Sequence, residues 1–346
     1  MKSDVYGELV DALYLRKGGM IALRCSELIA VLEELFSQEE AELALRLPLE
    51  PVTVSALVSG EDRTSLERKL ESMADKGLVY VTEKDGEKYY QLLPLLPGIL
   101  EFQFLKGEVD EHAKKVAALI KEYMRALRRY MNEQAGRPAS AARVITIQED
   151  FPQRTTIYPY SDVLQFIENS ENIAVGICLC RHEEELLGNA ACVKPKETCM
   201  LFGPEAKFAA ERRFARIIDK EEARRILDVT EEAGLIHSAI NKPGIYLNFL
   251  CNCCICHCKI MRGAKRSGMP TRVVVANYVI TIDDDACNTC GLCVERCQME
   301  ALKFEGERLM RDDVKCIGCG LCMYVCPADA LRLEPRSDIY GLSKHE

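Results

Sequence analysis

The segments CNTCGLCVERCQ (residues 287–298) and CIGCGLCMYVCP (residues 316–327) are two copies of one pattern. Each places three thiols at every third position and a fourth thiol four residues further on, and the copies begin 29 residues apart. Every cysteine of the first copy therefore has a counterpart in the second. Gly291 and Gly320 follow the second cysteine of each copy, where a crowded loop needs a residue without Cβ. Cys326 is followed by Pro327, whereas Cys297 is followed by Gln298, which gives up a fixed φ and adds one backbone N–H.

Thiolates at this spacing wrap three corners of an iron–sulfur cubane, while the fourth, entering the next helix, reaches a second cluster. Structural zinc also takes Cys-x2-Cys pairs, but eight thiols in two interleaved runs fit the iron–sulfur rule better. Residues 278–334 resemble bacterial two-[4Fe–4S] ferredoxins. The resemblance implies that Cys287, Cys290, Cys293 and Cys326 hold one cluster, and that Cys316, Cys319, Cys322 and Cys297 hold the other.

Working outward, the chain has 346 residues, 48% apolar and 29% charged. Such a chain is long enough for several cores and too apolar to be disordered. Its longest apolar stretch, Leu92–Leu100, is interrupted by Pro94 and Pro97 and is too short for a membrane span. Asp4, Glu8 and Asp11 stand where an export signal needs a bare apolar run, so a cytoplasmic location is expected. Of the 18 cysteines, 13 lie between Cys251 and Cys326, and only Cys25 falls in the first 170 residues. Secreted disulfide scaffolds are short and cysteine-dense throughout, so this distribution points to metal binding in a reducing compartment. Cys25, grouped with Leu28 and Leu32, is expected to be a buried apolar residue on a helix.

The expected fold class is α+β multidomain: a winged-helix-like N-domain, a cysteine-rich α/β middle domain and a C-terminal two-cluster ferredoxin-like domain. In residues 1–106, Ser37 and Glu40 form a capping box opening Gln38–Leu47, Val54–Val58 makes a short helix, and Leu66, Leu70 and Met73 form one stripe ending at Gly77. Asp85-Gly86 then separates Leu78–Thr82 from Lys88–Leu93, a β-hairpin signature. This order resembles the winged helix-turn-helix of bacterial repressors, with the hairpin as the wing. Residues 107–142 read as a long amphipathic helix, Glu108 to about Asn132, and a linker, Gln134–Ala142. Residues 143–272 form the middle domain, with strands at Val144–Ile147 and Ile173–Leu179 and a helix at Ser161–Glu168 capped by Ser161. A second helix, Asp219–Ala233, carries a capping box at Asp219 and Glu222 and ends at Gly234. Residues 273–346 complete the chain.

Nine further thiols precede the ferredoxin repeat: Cys178, Cys180, Cys192, Cys199, Cys251, Cys253, Cys254, Cys256 and Cys258. No ferredoxin spacing matches them. If the run Cys251–Cys258 is extended, Cys251 and Cys253 face one way and Cys254, Cys256 and Cys258 the other. Nine thiolates suffice for two more [4Fe–4S] clusters with one to spare; one cluster plus zinc, or one cluster with free thiols, are the alternatives. His182 and His257 adjoin these cysteines and are left out of the ligand set, since a lone histidine is more often neither ligand nor orienting donor.

The segments Cys178-Leu-Cys-Arg-His182, Gly188, Cys192, Pro195 and Cys199-Met-Leu-Phe-Gly203 belong with Glu221-Glu-Ala223, Ala233-Gly-Leu-Ile-His237, the Cys251–Cys258 run and Leu92–Gln103. Together they make the whole chain similar to a family of anaerobic prokaryotic 4Fe–4S dicluster proteins. Relatives in that family carry another Cys at the place of His257 and a Gly at Ile255. The resemblance implies electron transfer, with a redox enzyme or oxidoreductase complex as partner. The chain is expected to act as a carrier or subunit rather than a stand-alone enzyme, for no dinucleotide fingerprint, P-loop or haem motif is present.

The alternative is a redox-sensing transcriptional regulator that binds DNA through the winged helix. Residues 1–106 hold 12 Lys and Arg against 19 Asp and Glu, a net −7, while residues 107–346 carry −2. DNA affinity comes largely from neutralising phosphates, so this balance weighs against DNA. Arg63, Arg68, Lys69, Lys84 and Lys88 are the bases that could line one face. The blander role for the winged-helix region is docking or homodimerisation.

Overall fold

The computed structural model describes residues 4–16, 22–135, 155–157, 160–189, 192–240, 249–268, 274–276 and 278–335. The chain is α+β and divides into two compact units. One comprises Met1–Pro152, His182–Ala191 and Pro204–Arg216, and the other comprises Gln153–Arg181, Cys192–Gly203 and Ile217–Glu346. Among the described residues, no helix is long and apolar enough to cross a membrane.

The first unit opens with helices α1 (Val5–Leu15), α2 (Ser26–Leu35), α3 (Gln38–Arg46), α4 (Val54–Leu57) and α5 (Arg63–Asp75). Strands β1 (Val52–Thr53), β2 (Val79–Lys84) and β3 (Glu87–Leu92) form an antiparallel sheet in the order β1-β3-β2. The capping box is present: Ser37 Oγ accepts from Glu40 N at 3.2 Å, and Glu40 Oε2 accepts from Ser37 N at 2.8 Å. The hairpin turns at Asp85 (φ 53°) and Gly86 (φ 77°), the paired positive angles that let two twisted strands close through two residues. On α2, Leu28, Val31, Leu32 and Leu35 are buried at helical spacing, each burial contributing about 2 kcal/mol.

Cys25 is not on that helix. It is the extended, half-buried residue preceding α2, and burial pushes its thiol up. The long amphipathic helix runs from Glu111 to Ala135, so Gln134 and Ala135 are helical rather than linker. The rest of that linker and the strand expected at Val144–Ile147 lie outside the described residues.

The second unit is built on a seven-stranded sheet of β4 (Thr155–Ile157), β5 (Ile173–Ile177), β6 (Glu197–Phe202), β7 (Arg216–Ile218), β8 (Ile236–Ile240), β9 (Phe249–Cys253) and β10 (Val274–Ala276). The strand order is β10-β4-β8-β9-β6-β5-β7. β9 is central and antiparallel to both neighbours, with Ser238 opposite Cys251, Ile236 opposite Cys253 and Met200 opposite Leu250. The helices Tyr160–Asn169 and Lys220–Glu232 contribute Val163, Ile167, Ala223 and Leu227 to a core with Val175, Met200, Ala239 and Leu250. Asp219 caps the second helix by accepting from Glu222 N at 2.7 Å. Ser161 does not cap the first, because the helix already includes Tyr160, and its hydroxyl meets the Asp162 carboxylate instead.

The ferredoxin repeat folds with a matching internal symmetry. β11 (Tyr278–Ile282) pairs antiparallel with β14 (Leu331–Pro335), and β12 (Leu302–Glu305) with β13 (Arg308–Arg311). Left-handed backbone recurs at the repeat interval, at Thr289 and Gly318, Gly291 and Gly320, and Glu300 and Asp329. Gly291 and Gly320 share φ 80° and begin the short helices Leu292–Arg296 and Leu321–Tyr324. Identical backbone at identical intervals means that each copy coils its thiols around a centre in the same way.

Candidate metal centres

Each ferredoxin-type loop surrounds a hollow. One is lined by Cys287, Cys290, Cys293 and Cys326 with Asn288, Phe304, Leu309 and Leu331. The other is lined by Cys297, Cys316, Cys319 and Cys322 with Ile236, Ile280, Met299, Ile317 and Leu321. The fourth cysteine of each run thus joins the cage of the opposite copy, the exchange that an entering helix produces when it carries its thiol away from its own loop. Four sulfurs converging in an apolar wall are a donor set for soft metal, since thiolates there have few other partners.

The electrostatics agree. Burial, then the charges of Cys297 and Cys316, push the Cys319 thiol up to about 12. Burial and the charges of Cys319, Cys297 and Cys316 push Cys322 up as well. Four thiolates this close cannot ionise together in an apolar hollow without cations between them. The first cage reaches the surface at Cys290, whereas the second has Cys316 and Cys322 buried and no exposed cysteine.

The nine upstream thiols fall into two groups. Six form a continuous string in which Cys178 meets Cys199, Cys199 meets Cys251, Cys251 meets Cys253, Cys253 meets Cys258 at 3.3 Å, and Cys258 meets Cys180. Hydrogen bonds from Cys178 and Cys251 hold the Cys199 thiol well below its ordinary range. Those from Cys251 and Cys258 lower Cys253 to about 5. Cys251 and Cys253 do share a face, as an extended strand requires. The chain turns after Cys253, however, so Cys258 does not side with Cys254 and Cys256. It caps the helix Lys259–Arg266 and returns its sulfur to Cys253. Cys192, Cys254 and Cys256 form the other group, and His257 stands with them.

Polar residues outside the expected ligand set bind this region together. Arg181, 2% exposed, donates to the Asn252 carbonyl at 3.1 Å, to Thr198 Oγ1 and to the Cys254 sulfur. His237 hydrogen-bonds Asn252 Oδ1 through Nδ1 at 2.6 Å and Glu231 Oε1 through Nε2 at 2.9 Å. Gln298, the departure from the ferredoxin pattern, accepts from Ile255 N at 2.9 Å and donates to the Gly234 carbonyl. Arg296 donates to the Glu231 and Glu232 carbonyls, covering the end of the helix Lys220–Glu232. Ile236, Cys253, Cys258, Met299, Ile317 and Leu321 then pack as one apolar cluster with Cys251, Cys297 and Cys319. The string of thiols and the second ferredoxin cage are therefore separated by packed side chains of a single core. His182 is engaged elsewhere, through Nε2 with the Glu108 carbonyl at 2.8 Å.

Neither the curated proteins nor the solved structures compared with the chain gave a match. Residues 280–333 match the family model of the 4Fe-4S dicluster domain, the segment that contains both thiol cages, and [4Fe–4S] clusters are accordingly cofactors of this chain.

Proposed function

We propose that the protein passes single electrons between its ferredoxin-type cages, a centre held among the upstream thiols, and a partner redox enzyme of anaerobic metabolism. The observation that carries this reading is the lining of the two hollows: each collects four cysteines, three from one copy and one from the other. Cys287, Cys290, Cys293 and Cys326 would hold one cluster and Cys316, Cys319, Cys322 and Cys297 the second. A bound [4Fe–4S] cluster supplies a site whose charge changes by one unit at little structural cost. The chain does the rest. Ala301 N donates to Cys297 Sγ at 3.3 Å and Met261 N to Cys258 Sγ at 3.5 Å, stabilising thiolate charge. Ile236, Met299 and Ile317 exclude water between the second cage and the thiol string. The string, Cys178, Cys180, Cys199, Cys251, Cys253 and Cys258, would hold a further iron–sulfur centre, with Arg181 as its buried counter-charge. The exposed rim at Cys290 is the docking face for the partner.

The test is iron and acid-labile sulfide per chain, with EPR, on anaerobically purified protein. Cys319→Ala removes about four irons and one ferredoxin-type signal, while Cys290→Ala removes the other signal. An unchanged count in either variant refutes the ligand sets.

The winged-helix-like arrangement of α2–α5 and the β2–β3 hairpin would serve as a docking module in a soluble, cytoplasmic protein. Two of the bases that could face DNA are engaged within the unit: Lys69 pairs with Glu39 at 2.9 Å, and Lys88 with Glu71 at 2.9 Å. Gel-shift against genomic fragments at moderate salt, oxidised and reduced, is expected to show no specific retention; specific retention would establish the regulator reading instead.

A further inference from the structure

We infer that Cys192, Cys254, Cys256 and His257 form a separate site for a single tetrahedral cation, zinc, with a structural role. The four ligand atoms all lie within 4.8 Å of one another, and the Cys192 and Cys256 sulfurs are 3.5 Å apart. Zinc bound at about 2.3 Å to sulfur and about 2.0 Å to nitrogen sets tetrahedron edges of about 3.5–3.8 Å. A cubane interposes its own iron–sulfide core, so its four thiolates stand apart by the width of that core plus two bonds. Neighbours in the thiol string also touch pairwise, Cys253 and Cys258 at 3.3 Å. Among the described residues, however, it is this group whose four ligand atoms, one of them an imidazole nitrogen, all lie within reach of one another, which suits one ion rather than a cluster. In the ferredoxin cages, by contrast, the thiols line hollows and act on one another through charge.

Local structure explains how neighbours in sequence come to serve different centres. β9 ends at Cys253, and the turn at residues 255–257 directs Cys256 and His257 to this site, while Cys258 enters the next helix and turns back to Cys253. Three thiolates and a neutral imidazole on a divalent cation leave one net negative charge. The buried Arg181 guanidinium meets it through its hydrogen bond to the Cys254 sulfur, the outer contact that orients and balances a ligand. Cys192 lies on the segment before β6, so the ion staples that segment to the turn that follows β9. The donor set, three Cys and one His with no fifth ligand among them, is that of a closed structural site. This inference stands apart from the electron-transfer reading, because such an ion exchanges no electrons.

The test is metal content of the full chain purified anaerobically without chelator, together with cobalt substitution. Wild type is expected to carry about one zinc in addition to its iron, and the cobalt form to show the intense visible bands of tetrahedral thiolate–imidazole ligation. Cys192→Ser combined with His257→Ala is expected to lower zinc about tenfold or more, with the iron count and both ferredoxin-type EPR signals unchanged. His257→Cys keeps the zinc and shifts the cobalt bands toward four-sulfur ligation. Wild type without zinc, zinc retained in the double variant, or loss of about four irons in that variant would each overturn the inference. The cobalt spectrum of wild type decides the question even if the double variant fails to fold.

Discussion

Replacing Gln298 by Leu tests whether the residue that breaks the ferredoxin pattern serves as a clamp. The side chain bridges Ile255 N and the Gly234 carbonyl, two backbone groups that belong to no strand pairing there. Leucine fills a similar volume and offers neither hydrogen bond. Each lost bond removes about 1 kcal/mol net, and stranding a half-buried N–H and a buried C=O adds a further cost that partial access to water moderates. A total of about 2 kcal/mol follows, a factor of about 30 in the equilibrium for local opening. The assay is native-state hydrogen exchange of the anaerobic holoprotein, read at the Ile255 amide and its neighbours through Cys258. Protection is expected to fall about 30-fold there. Glu295→Gln, an exposed change one turn earlier, is expected to leave it alone. Protection within twofold of wild type would refute the clamp, and with it the argument that Gln298 replaces proline in order to join the repeat to the sheet.

Three further outcomes follow from the same geometry. Alanine at Gly320 or at Gly291 forces a left-handed backbone at a cost of about 1–2 kcal/mol. At Gly320 the new Cβ also meets Leu333 Cδ1 at 3.2 Å, whereas at Gly291 nothing approaches closer than 4.0 Å. Iron release to a chelator is therefore expected to accelerate in both variants, and more in Gly320→Ala. Burial alone would raise the Glu71 carboxyl, but hydrogen bonds from Tyr90, Lys88 and Arg212 outweigh it and hold the carboxyl below its ordinary value. A depressed value means stability that is present above the unfolded value of about 4.3 and lost as pH falls through the folded one. Amide protection of α5 and β3 should drop with acid across that window in wild type; in Glu71→Gln it should start lower at neutral pH and stay flat. Finally, water at the Cys290 rim stabilises the more negative reduced charge, so the signal that survives Cys319→Ala should titrate at the higher potential. The reverse order by EPR redox titration would show that backbone donors rather than exposure set the potentials.

What could be read from sequence was local. The Ser37–Glu40 box, the Asp85-Gly86 turn and the Asp219 cap each depend on residues within four positions, and each is present. Reading failed where a neighbour already satisfied the rule. Ser161 has the chemistry of a cap, but the helix starts before it and its hydroxyl finds Asp162. Cys25 was assigned to a helix by its leucine neighbours and instead precedes α2 with extended backbone.

The centres divide along the same line. A ferredoxin-type loop brings three thiols to its hollow within seven residues, so spacing alone marks them, and the 29-residue repeat points to the fourth, which lies in the other copy. The upstream thiols come from the end of β5, the helix Leu179–Leu186 that follows it, the segment before β6, β6 and β9, and the turn and helix cap after β9, and their grouping depends on which strands become neighbours. No spacing rule encodes that. Alternation did place Cys251 and Cys253 on one face, but it presumed that the strand continues to Cys258. The strand stops at Cys253 because the next thiols turn away from the ladder, and one turn is enough to move Cys258 from one group to the other. The roles of Arg181 and Asn252 had no local signal, since a buried guanidinium or amide is placed by partners 15 to 71 positions away. Where a polar side chain is recruited to join distant backbone, the reason for it lies in the packing of the finished sheet, and only a departure from a strong local pattern, such as Gln for Pro after Cys297, marks the place in advance.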